Sequence, residues 1–578
     1  MDSIKKALSI FNKKQKWKLL GIIVIILIGS IMELLGVTAI LPFINVALEP
    51  TSIFENDILY TLYEWLNLEK PEDFLVVLGI GLIAIYILKN LYVIYMNNYI
   101  YKFAYRSQKE LAVRLLTSYM RQPYSFFLKH NSADFIRNLN EDTMYFFETV
   151  IACLQFSAEF TVCVMLGTTL LVMDATLTMG VVVLMVIFVL TVFRMLKRNL
   201  ERKGAQCREY RAEMNKWILQ ATGGIKETKI LGKERFFIDN YKNLYNFFAE
   251  DYRRYKMYAF LPRPLMESLC ICALLTIVVI KILNGADMTY FVPVLSVFAV
   301  AVFRMLPSFN RLATYVSQIM FNKASVEAIY TDLNEFDNKN IADLKEDEGN
   351  ISFEKEIRLD NISFKYPDSE EDVVRDVKLV IPKGKSVAFI GPSGAGKTTL
   401  ADIILGVLSA QKGSIMVDGH PINAMSKSWH QKVGYIPQTI FLMDDTIRNN
   451  IAFGIEPTKI NEEQLTEAIA GAQLKDFIDS LPDGVDTEIG ERGVRLSGGQ
   501  RQRIGIARAL YFNPEILVLD EATSALDNDT EAAVMGAIDS LAGSKTLLVI
   551  AHRLTTIKNC NIVYEIKDKK IGVAQNEK

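Results

Sequence analysis

The sequence predicts an α-helical membrane domain of six spanning helices, followed by an α/β domain. Three observations predict this division. Of the 578 residues, 50% are hydrophobic and 22% are charged. The long apolar runs lie in the first part of the chain, and β-branched runs with glycine-rich turns and helical periods follow them. This composition excludes a disordered chain, a collagen and a small disulfide scaffold.

The membrane domain is predicted from apolar runs that contain few charged residues. A spanning helix needs about 20 mostly apolar residues. The runs are 19–48, 74–101, 149–173, 175–193, 257–280 and 288–322. The first run is too long for a cleaved signal peptide, so we expect it to remain as the first membrane helix.

The connecting segments alternate in their content of lysine and arginine. Residues before Leu19 include six lysines, whereas residues 49–73 include the single basic residue Lys70. The segments 102–137 and 194–256 are basic again. By the positive-inside rule, both termini are expected in the cytoplasm.

The two long basic segments keep a helical composition, with breaks at Pro123 and Gly224. They predict membrane helices that continue into the cytoplasm and return through short connecting helices. On the other side of the membrane, residues 60–68 predict a small amphipathic helix at the membrane surface.

An acidic, polar stretch at 332–350 predicts a linker between the two domains. We therefore expect the membrane domain at 1–330, the linker at 331–350 and the second domain at 351–578. The net charge of −2 does not indicate a nucleic-acid-binding surface, and no nucleic-acid partner is expected.

A glycine-rich loop after the apolar strand Ser386–Ile390 predicts a phosphate-binding site. Gly391-Pro-Ser-Gly-Ala-Gly-Lys-Thr398 fits the pattern GxxxxGK[ST] between a strand and a helix. The loop N–H groups and the helix N-terminus favour phosphate, Lys397 neutralises its charge, and Thr398 can bind Mg²⁺. The predicted nucleotide-binding residues here are Gly391, Ser393, Gly394, Ala395, Gly396, Lys397, Thr398 and Thr399.

A second apolar strand, Ile516–Asp520, ends in a carboxylate. Taken with the phosphate-binding loop, Asp520 is a predicted Mg²⁺ ligand. Glu521 follows it directly and is predicted to be the catalytic base that polarises an attacking water.

Between these motifs lies Leu496-Ser-Gly-Gly-Gln500, which continues into Arg501-Gln-Arg-Ile-Gly-Ile-Ala-Arg508. With these motifs together, the sequence resembles the ATP-binding cassette (ABC) transporters, and specifically their six-helix exporter half-transporters. The resemblance covers essentially the whole chain. It implies the ABC exporter fold, a six-helix transmembrane domain fused to an α/β P-loop cassette that hydrolyses ATP with Mg²⁺ to drive translocation.

The resemblance also implies roles for residues outside these motifs. Tyr366 matches the aromatic residue that stacks on adenine, and Gln438 matches the glutamine that touches Mg²⁺. Asp527 matches the loop that communicates across the dimer. His552 matches the switch histidine that contacts the γ-phosphate and orients the hydrolytic reaction.

In this family, the signature of one subunit completes the ATP site of its partner. The residues expected to do so are Ser497, Gly498, Gly499 and Gln500. One chain has one membrane domain and one cassette, so the resemblance implies a homodimer with two active sites. A heterodimer with a separately encoded partner is the alternative.

Cations within the membrane segments predict the substrate cavity. They are Lys89, Arg263, Arg304 and Arg311. An ionisable residue inside a membrane is costly and usually faces a cavity or a partner. Arg304 and Arg311 are seven residues apart, on one helix face, and arginine suits phosphate geometry. These residues therefore predict an anionic head group on the substrate.

The alternative for these cations is internal pairing. Arg263 is four residues before Glu267, and the other cations could pair with Glu33 or Glu159. In that case they would stabilise the membrane domain without contacting a substrate.

The cations and the external segment resemble those of bacterial flippases of lipid-linked oligosaccharides. This resemblance implies a polyprenyl-pyrophosphate-linked oligosaccharide as substrate, contact with membrane lipid, and a location in the bacterial inner membrane with the cassette in the cytoplasm. A lipid or multidrug exporter shares every ATP motif and is the alternative. The membrane spans exclude a soluble ABC protein of repair or translation.

Overall fold

The computed structural model of the chain contains two compact units. The described residues are 2–39, 42–43, 46–47, 50–54, 57–66, 70–173, 175–283, 288–338, 351–367, 369–422, 426–521, 531–532, 535–536, 538, 541, 543–551, 557 and 559–574. The first unit comprises Met1–Arg121 and His130–Asn340, and the second comprises Gln122–Lys129 and Ile341–Lys578.

The part of the chain before the cassette is helical in the described residues. Its α-helices are α1 (Asp2–Ile10), α2 (Lys13–Thr38), α3 (Asp57–Trp65), α4 (Pro71–Met120), α5 (Tyr124–Lys129), α6 (Ser132–Ile136), α7 (Thr143–Met173), α8 (Ala175–Gly223), α9 (Ile225–Leu231), α10 (Glu234–Phe260), α11 (Pro262–Leu283), α12 (Met288–Phe321) and α13 (Lys323–Asn338). A 3₁₀ turn at Pro50–Ile53 precedes α3, and a π-helical segment at Arg137–Asp142 joins α6 to α7.

Helices α4 and α8 are much longer than a membrane span. They contain 50 and 49 residues. At about 1.5 Å per residue each is about 75 Å long, against a hydrocarbon core of about 30 Å. Pro71 begins α4 at a position where its missing N–H costs no intrahelical bond. The short helices α5 and α9 follow these long helices, as the breaks at Pro123 and Gly224 predict.

Among the described residues, three helical stretches are long and apolar enough to cross a membrane. They are Lys13–Gly36, Pro71–Met120 and Ser132–Thr169. The other predicted spans fall on α8, α11 and α12, and these spans include side chains outside the described residues. The predicted run 257–280 is divided, because α10 ends at Phe260 and α11 begins at Pro262.

Helices α8 and α12 approach each other closely at a glycine. A Cβ atom on Gly204 would lie 1.8 Å from the carbonyl oxygen of Phe321. Near this contact, the rings of Tyr255 and Phe321 stack with centroids 3.8 Å apart. A larger residue at position 204 would therefore force the two helices apart.

The segment between α2 and α4 packs against the start of α4 in a small apolar cluster. It contains the buried side chains of Val46, Ile53, Leu59 and Phe74. The amphipathic helix predicted at 60–68 is present, but it spans Asp57–Trp65. It begins earlier because Leu59 contributes to the buried cluster, while Trp65 at its end is exposed.

The start of the predicted linker is helical instead. Helix α13 continues to Asn338, and residues 339–350 lie outside the described residues. The acid Asp332, interpreted as a linker residue, accepts hydrogen bonds from the Tyr119 hydroxyl at 2.6 Å and the Asn138 amide at 2.8 Å. These contacts hold α13 against the other helices of the first unit.

The second unit contains two β-sheets. The strands are β1 (Glu356–Phe364), β2 (Val374–Pro382), β3 (Ser386–Ile390), β4 (Lys412–Val417), β5 (His420–Pro421), β6 (Val433–Ile436), β7 (Ile516–Asp520), β8 (Thr546–Ile550), β9 (Ile562–Lys567) and β10 (Lys570–Val573). The smaller sheet is antiparallel with the order β2-β1-β4-β5. The larger sheet has the order β10-β9-β3-β8-β7-β6, and all its pairs except β10–β9 are parallel.

Helices cover the larger sheet, so that strands β7 and β8 are entirely buried. The described helices of this unit are α5, α14 (Lys397–Ile404), α15 (Lys427–His430), α16 (Ile447–Ile451), α17 (Glu462–Gly471), α18 (Lys475–Asp479) and α19 (Gly498–Tyr511). Strands β3 and β7 flank β8, so their carboxyl ends open on the same edge of the sheet. That edge is where parallel α/β sheets bind their ligands.

Candidate functional site

The loop between β3 and α14 has the backbone shape of a phosphate-binding loop. Gly391, Gly394 and Gly396 have φ angles of 144°, 81° and 96°. These values favour glycine, which has no Cβ atom to clash. A Cβ on Gly391 would lie 2.4 Å from the carbonyl oxygen of Ile566. The loop therefore needs its glycines for its path and for close packing against β9.

Lys397 is held over this loop. Its Nζ donates hydrogen bonds to the carbonyl oxygens of Gly391 and Pro392, each at 3.0 Å. Burial lowers the pKa of Lys397, and the nearby carboxylates of Glu521 and Asp520 oppose that shift. The ammonium is thus fixed at the mouth of the loop, where it can attract phosphate oxygens.

Thr398 and Asp520 form a pair of oxygen donors beside the loop. The Thr398 hydroxyl lies 3.4 Å from Oδ1 of Asp520, and Tyr435 also hydrogen-bonds to that carboxylate. Burial is the main cause that raises the pKa of Asp520, followed by the charge of Glu521. Hydroxyl and carboxylate oxygens are the donors that Mg²⁺ prefers, so these residues fit a magnesium site.

Glu521 follows β7 in a left-handed backbone conformation, with φ of 50°. Its N–H donates to the carbonyl oxygen of Ile550 at 3.1 Å, which fixes the backbone against β8. The Nε2 of Gln438 donates to Oε2 of Glu521 at 2.6 Å. The structure therefore brings the predicted base, Gln438 and the metal-binding pair into one cluster.

Tyr366 lies near the phosphate-binding loop. Its hydroxyl is 3.1 Å from the Thr399 hydroxyl, and its ring packs edge-on against Phe364 at a centroid distance of 5.2 Å. The predicted adenine-stacking residue is thus anchored at the start of α14.

The signature residues begin α19. Ser497 is exposed and caps the helix: its side chain accepts from the Gln500 N–H, and the Gln500 side chain accepts from the Ser497 N–H. Gly498 and Gly499 form the first turn of α19. The helix N-terminus thus presents an exposed hydroxyl and the N–H groups of Gly498 and Gly499 to an anion. The predicted residues Asp527 and His552 lie outside the described residues.

Asp402, which the motifs do not single out, lies close to the predicted metal ligands. Burial, and secondarily the charge of Asp520, raises the pKa of Asp402 to about 6. Its position on α14, one helical turn after Thr398, was the available signal in the sequence.

Two of the predicted membrane cations line one cavity of about 400 Å³ in the first unit. The Lys89 Nζ is 2.8 Å from a Glu33 carboxylate oxygen. The Arg311 guanidinium binds both carboxylate oxygens of Glu159, at 2.6 and 3.0 Å. The lining also includes the polar residues Ser30, Asn90, Asn97, Gln155 and Tyr315.

These pairs correspond to the internal pairing that the sequence left open. Among the described lining residues, each cation has a carboxylate partner, so these four charges balance. Arg263 is exposed near the start of α11 and is not among the lining residues. Arg304 lies on α12, and its side chain is outside the described residues.

Fold and site together define a membrane protein with a P-loop nucleotide-binding domain, and comparison with known families agrees. The ABC transporter transmembrane region matches residues 19–305, and the ABC transporter family model matches residues 374–524. The chain belongs to the ABC transporters and is an integral membrane protein. The family recognised from the sequence motifs is confirmed.

Several curated relatives are similar to the chain. An ATP-dependent lipid A-core flippase of Alkalilimnicola ehrlichii is 35% identical over 361 residues, which cover 61% of this chain and 60% of the relative. A flippase of the same name from Cupriavidus metallidurans is 31% identical over 364 residues, covering 61% and 59%. A putative multidrug export ATP-binding/permease protein of Staphylococcus aureus is 44% identical over 216 residues, 37% of each chain. The chain thus spans about 60% of the length of the flippases it matches.

Among solved structures, a bacterial Atm1-family ABC exporter with ATP bound has a TM-score of 0.74 at 21% identity. The match covers 97% of this chain and 95% of that chain. It confirms the predicted fold class, an exporter-type transmembrane domain fused to a cassette.

Proposed function

We propose that this chain is one half of an ATP-driven exporter that moves an amphipathic substrate across the membrane. The observation that carries the proposal is the cluster of Thr398, Asp520, Glu521 and Gln438 beside a phosphate-binding loop. It contains the groups needed to hold a nucleotide phosphate and to activate a water.

In the proposed hydrolysis, Lys397 binds the β- and γ-phosphates of ATP. Thr398, Asp520 and Gln438 would hold Mg²⁺, which neutralises charge on the phosphates. Glu521 accepts a proton from the attacking water, and the contact with Gln438 orients its carboxylate. His552 and Asp527 keep their predicted roles at the γ-phosphate and across the dimer.

We propose a homodimer whose ATP sites are shared between chains. The signature hydroxyl of Ser497 is exposed and its helix N-terminus is available to a partner's nucleotide. The short helix α9 also leaves apolar side chains exposed, with Ile230 at 73% and Leu231 at 65%. A second copy of the chain could cover such a surface.

The finer proposal for the substrate is a polyprenyl-pyrophosphate-linked oligosaccharide. A cavity rich in amides and hydroxyls suits sugar hydroxyl groups. Arg311 has half of its side chain exposed and could exchange Glu159 for a phosphate. Relatives named lipid A-core flippases support export of a lipid with a polar head group.

A second candidate is a lipid or multidrug exporter of another chemistry. The observation that favours this second candidate is the pairing of Lys89 with Glu33 and of Arg311 with Glu159. Because these charges balance, the lining residues that the structure describes offer no excess positive charge to an anion.

The deciding experiment is reconstitution of the purified chain in vesicles with a polyprenyl-pyrophosphate oligosaccharide. We expect ATP-dependent translocation that disappears in the Glu521→Gln variant. Intact ATP hydrolysis without translocation of this lipid would contradict the finer proposal and favour the second candidate. Failure to hydrolyse ATP would contradict the proposal altogether.

For the domains, we propose a membrane domain that includes α13 and is joined by a linker to a nucleotide-binding domain at 351–578. We propose the bacterial inner membrane as the location, with the cassette in the cytoplasm. The lysines before Leu19 support this orientation.

A further inference from the structure

We propose that four lysines at the start of α2 bind the head groups of anionic phospholipids. The argument begins with the membrane-spanning part of this helix. Its inward face is buried where α4 and α7 pack against it. The buried apolar residues of that face are Leu19, Ile22 and Ile26.

The opposite face of α2 is apolar and exposed. Its residues recur every three or four positions, so they form one continuous stripe along the helix. They are Leu20, Val24, Leu27, Ile31 and Leu35. In a membrane protein such a stripe is suited to contact with lipid chains.

The stripe continues into the basic start of the helix with the same spacing. Trp17 lies three residues before Leu20 and has 74% of its surface exposed, and Lys13 lies four residues before Trp17. Tryptophan prefers the boundary between lipid chains and water. The end of the stripe is therefore the expected level of the lipid head groups.

Three further lysines surround Trp17 at this level. Lys14, Lys16 and Lys18 are exposed, like Lys13. Among the described residues, none of these four lysines has an ion-pair partner. The first turn of α2 contains no acidic residue, and a helix N-terminus adds partial positive charge. The charge on this face is thus available to an external anion.

Contacts of Gln15 show which side of α2 faces the other helices of the first unit. Gln15 donates to a Glu110 carboxylate oxygen on α4 at 2.8 Å, and it also caps α2 with Asn12. Lys6, in contrast, is engaged within the chain, 3.8 Å from a Glu327 carboxylate oxygen. Lys13 therefore lies on the side of α2 opposite Gln15, and the exposed Lys14, Lys16 and Lys18 lie on the flanks of the helix.

Charge complementarity favours anionic lipid as the occupant of this face. Clusters of four or more basic residues beside a membrane helix attract anionic lipids, each contributing favourably near the surface. A role in membrane orientation alone would need the positive charges, but it would not need them grouped around Trp17 at the end of the lipid-facing stripe. In the proposed orientation, the lipids belong to the cytoplasmic leaflet.

The test compares the association of spin-labelled phosphatidylglycerol and spin-labelled phosphatidylcholine with the full chain in phosphatidylcholine nanodiscs. We expect wild type to prefer phosphatidylglycerol by about fivefold at low salt, and less at high salt. Replacing Lys13, Lys14, Lys16 and Lys18 by Gln should remove most of the preference. Replacing the same four by Arg should keep it.

A matched control removes four exposed lysines from the cassette instead. The control substitutions are Lys378→Gln, Lys385→Gln, Lys412→Gln and Lys427→Gln, and they should leave the lipid preference unchanged. ATP hydrolysis in detergent checks that each variant is folded. Equal association of both lipids with wild type, or an unchanged preference in the α2 Gln variant, would overturn the proposal. Loss of dimer in that variant without a change in lipid preference would instead identify the face as a subunit contact.

Discussion

The Nε2 of Gln438 donates a hydrogen bond to Oε2 of Glu521 at 2.6 Å. The residue predicted to touch Mg²⁺ thus contacts the residue predicted to activate water. Gln438 is exposed and follows β6, whereas Glu521 follows the buried strand β7. A movement of the Gln438 loop would therefore change the position of the catalytic carboxylate.

Replacing Glu521 by Gln should abolish turnover and retain ATP. The amide cannot accept the proton of the attacking water, and loss of a general base costs about 10²- to 10⁴-fold in rate. The glutamine side chain has nearly the same shape as glutamate, so it can still contact Gln438. Steady-state ATP hydrolysis and retention of labelled ATP measure the two effects. Hydrolysis near the wild-type rate would refute the assignment of Glu521 as base.

Replacing Gln438 by Ala should slow hydrolysis about 10- to 100-fold, because the carboxylate of Glu521 loses a charge-assisted hydrogen bond. Binding of ATP to the cassette should be retained through Lys397 and the loop glycines, while the predicted Mg²⁺ contact of Gln438 is lost. The exposed Gln431, replaced by Ala, is the control and should hydrolyse ATP normally. A Gln438 variant as fast as this control would show that the hydrogen bond has no catalytic role.

Exchanging the charges of Glu159 and Arg311 distinguishes substrate contact from internal pairing. Each single substitution, Glu159→Arg or Arg311→Glu, should destabilise the first unit because it places two like charges side by side. The double exchange should restore stability, measured by thermal unfolding. If Arg311 binds the substrate, transport should remain lost in the double variant while basal ATP hydrolysis persists. Recovery of transport would assign the pair a structural role only.

Replacing Gly204 by Ala should lower stability, because the added Cβ would lie 1.8 Å from a backbone oxygen of α12. Overpacking of this kind costs about 1–3 kcal/mol. Gly167 on α7 is the matched control, since a Cβ there would meet no atom within 4 Å. Gly167→Ala should be neutral or slightly stabilising, because Ala favours the helix. Equal melting temperatures for the two variants would contradict the close approach of α8 and α12.

Replacing Asp402 by Asn should stabilise the cassette at neutral pH but not in acid. The folded-state pKa of Asp402 is raised to about 6, above its unfolded value. The favourable contribution of Asp402 to the free energy of unfolding is therefore fully present below about pH 4, and it is lost as the pH rises through about 6. Thermal unfolding of wild type and of the Asp402→Asn variant should be measured between pH 4 and 8. The difference between their melting temperatures should grow with pH and then level off. A difference independent of pH would rule out this titration.

The nucleotide-binding residues were the most predictable part of the protein. The loop from Gly391 to Thr398 is contiguous, so its spacing alone defines a strand, a loop and a helix. The order of strands then brings the end of β7, with Asp520, to the same edge. Local sequence fixes these motifs because their geometry depends on neighbouring residues in the chain.

The partners of the membrane charges could not be chosen from the sequence. Glu33 and Lys89 are on different helices, as are Glu159 and Arg311, so their pairing depends on how the helices pack. The same limit applies to Asp332, because the acidic, polar composition of the stretch that it begins suggested a solvated linker. Its hydrogen-bond partner Tyr119 is 213 residues away in the chain.

The chain crosses between its two units more than once. It leaves the first unit after Arg121, contributes Gln122–Lys129 to the second and returns at His130, long before it reaches the cassette. A fragment of 351–578 would therefore lack α5, which belongs to the second unit. Within the intact chain, the first unit is joined to both ends of α5 and also to the start of the segment at Ile341. Three peptide connections therefore link the two units.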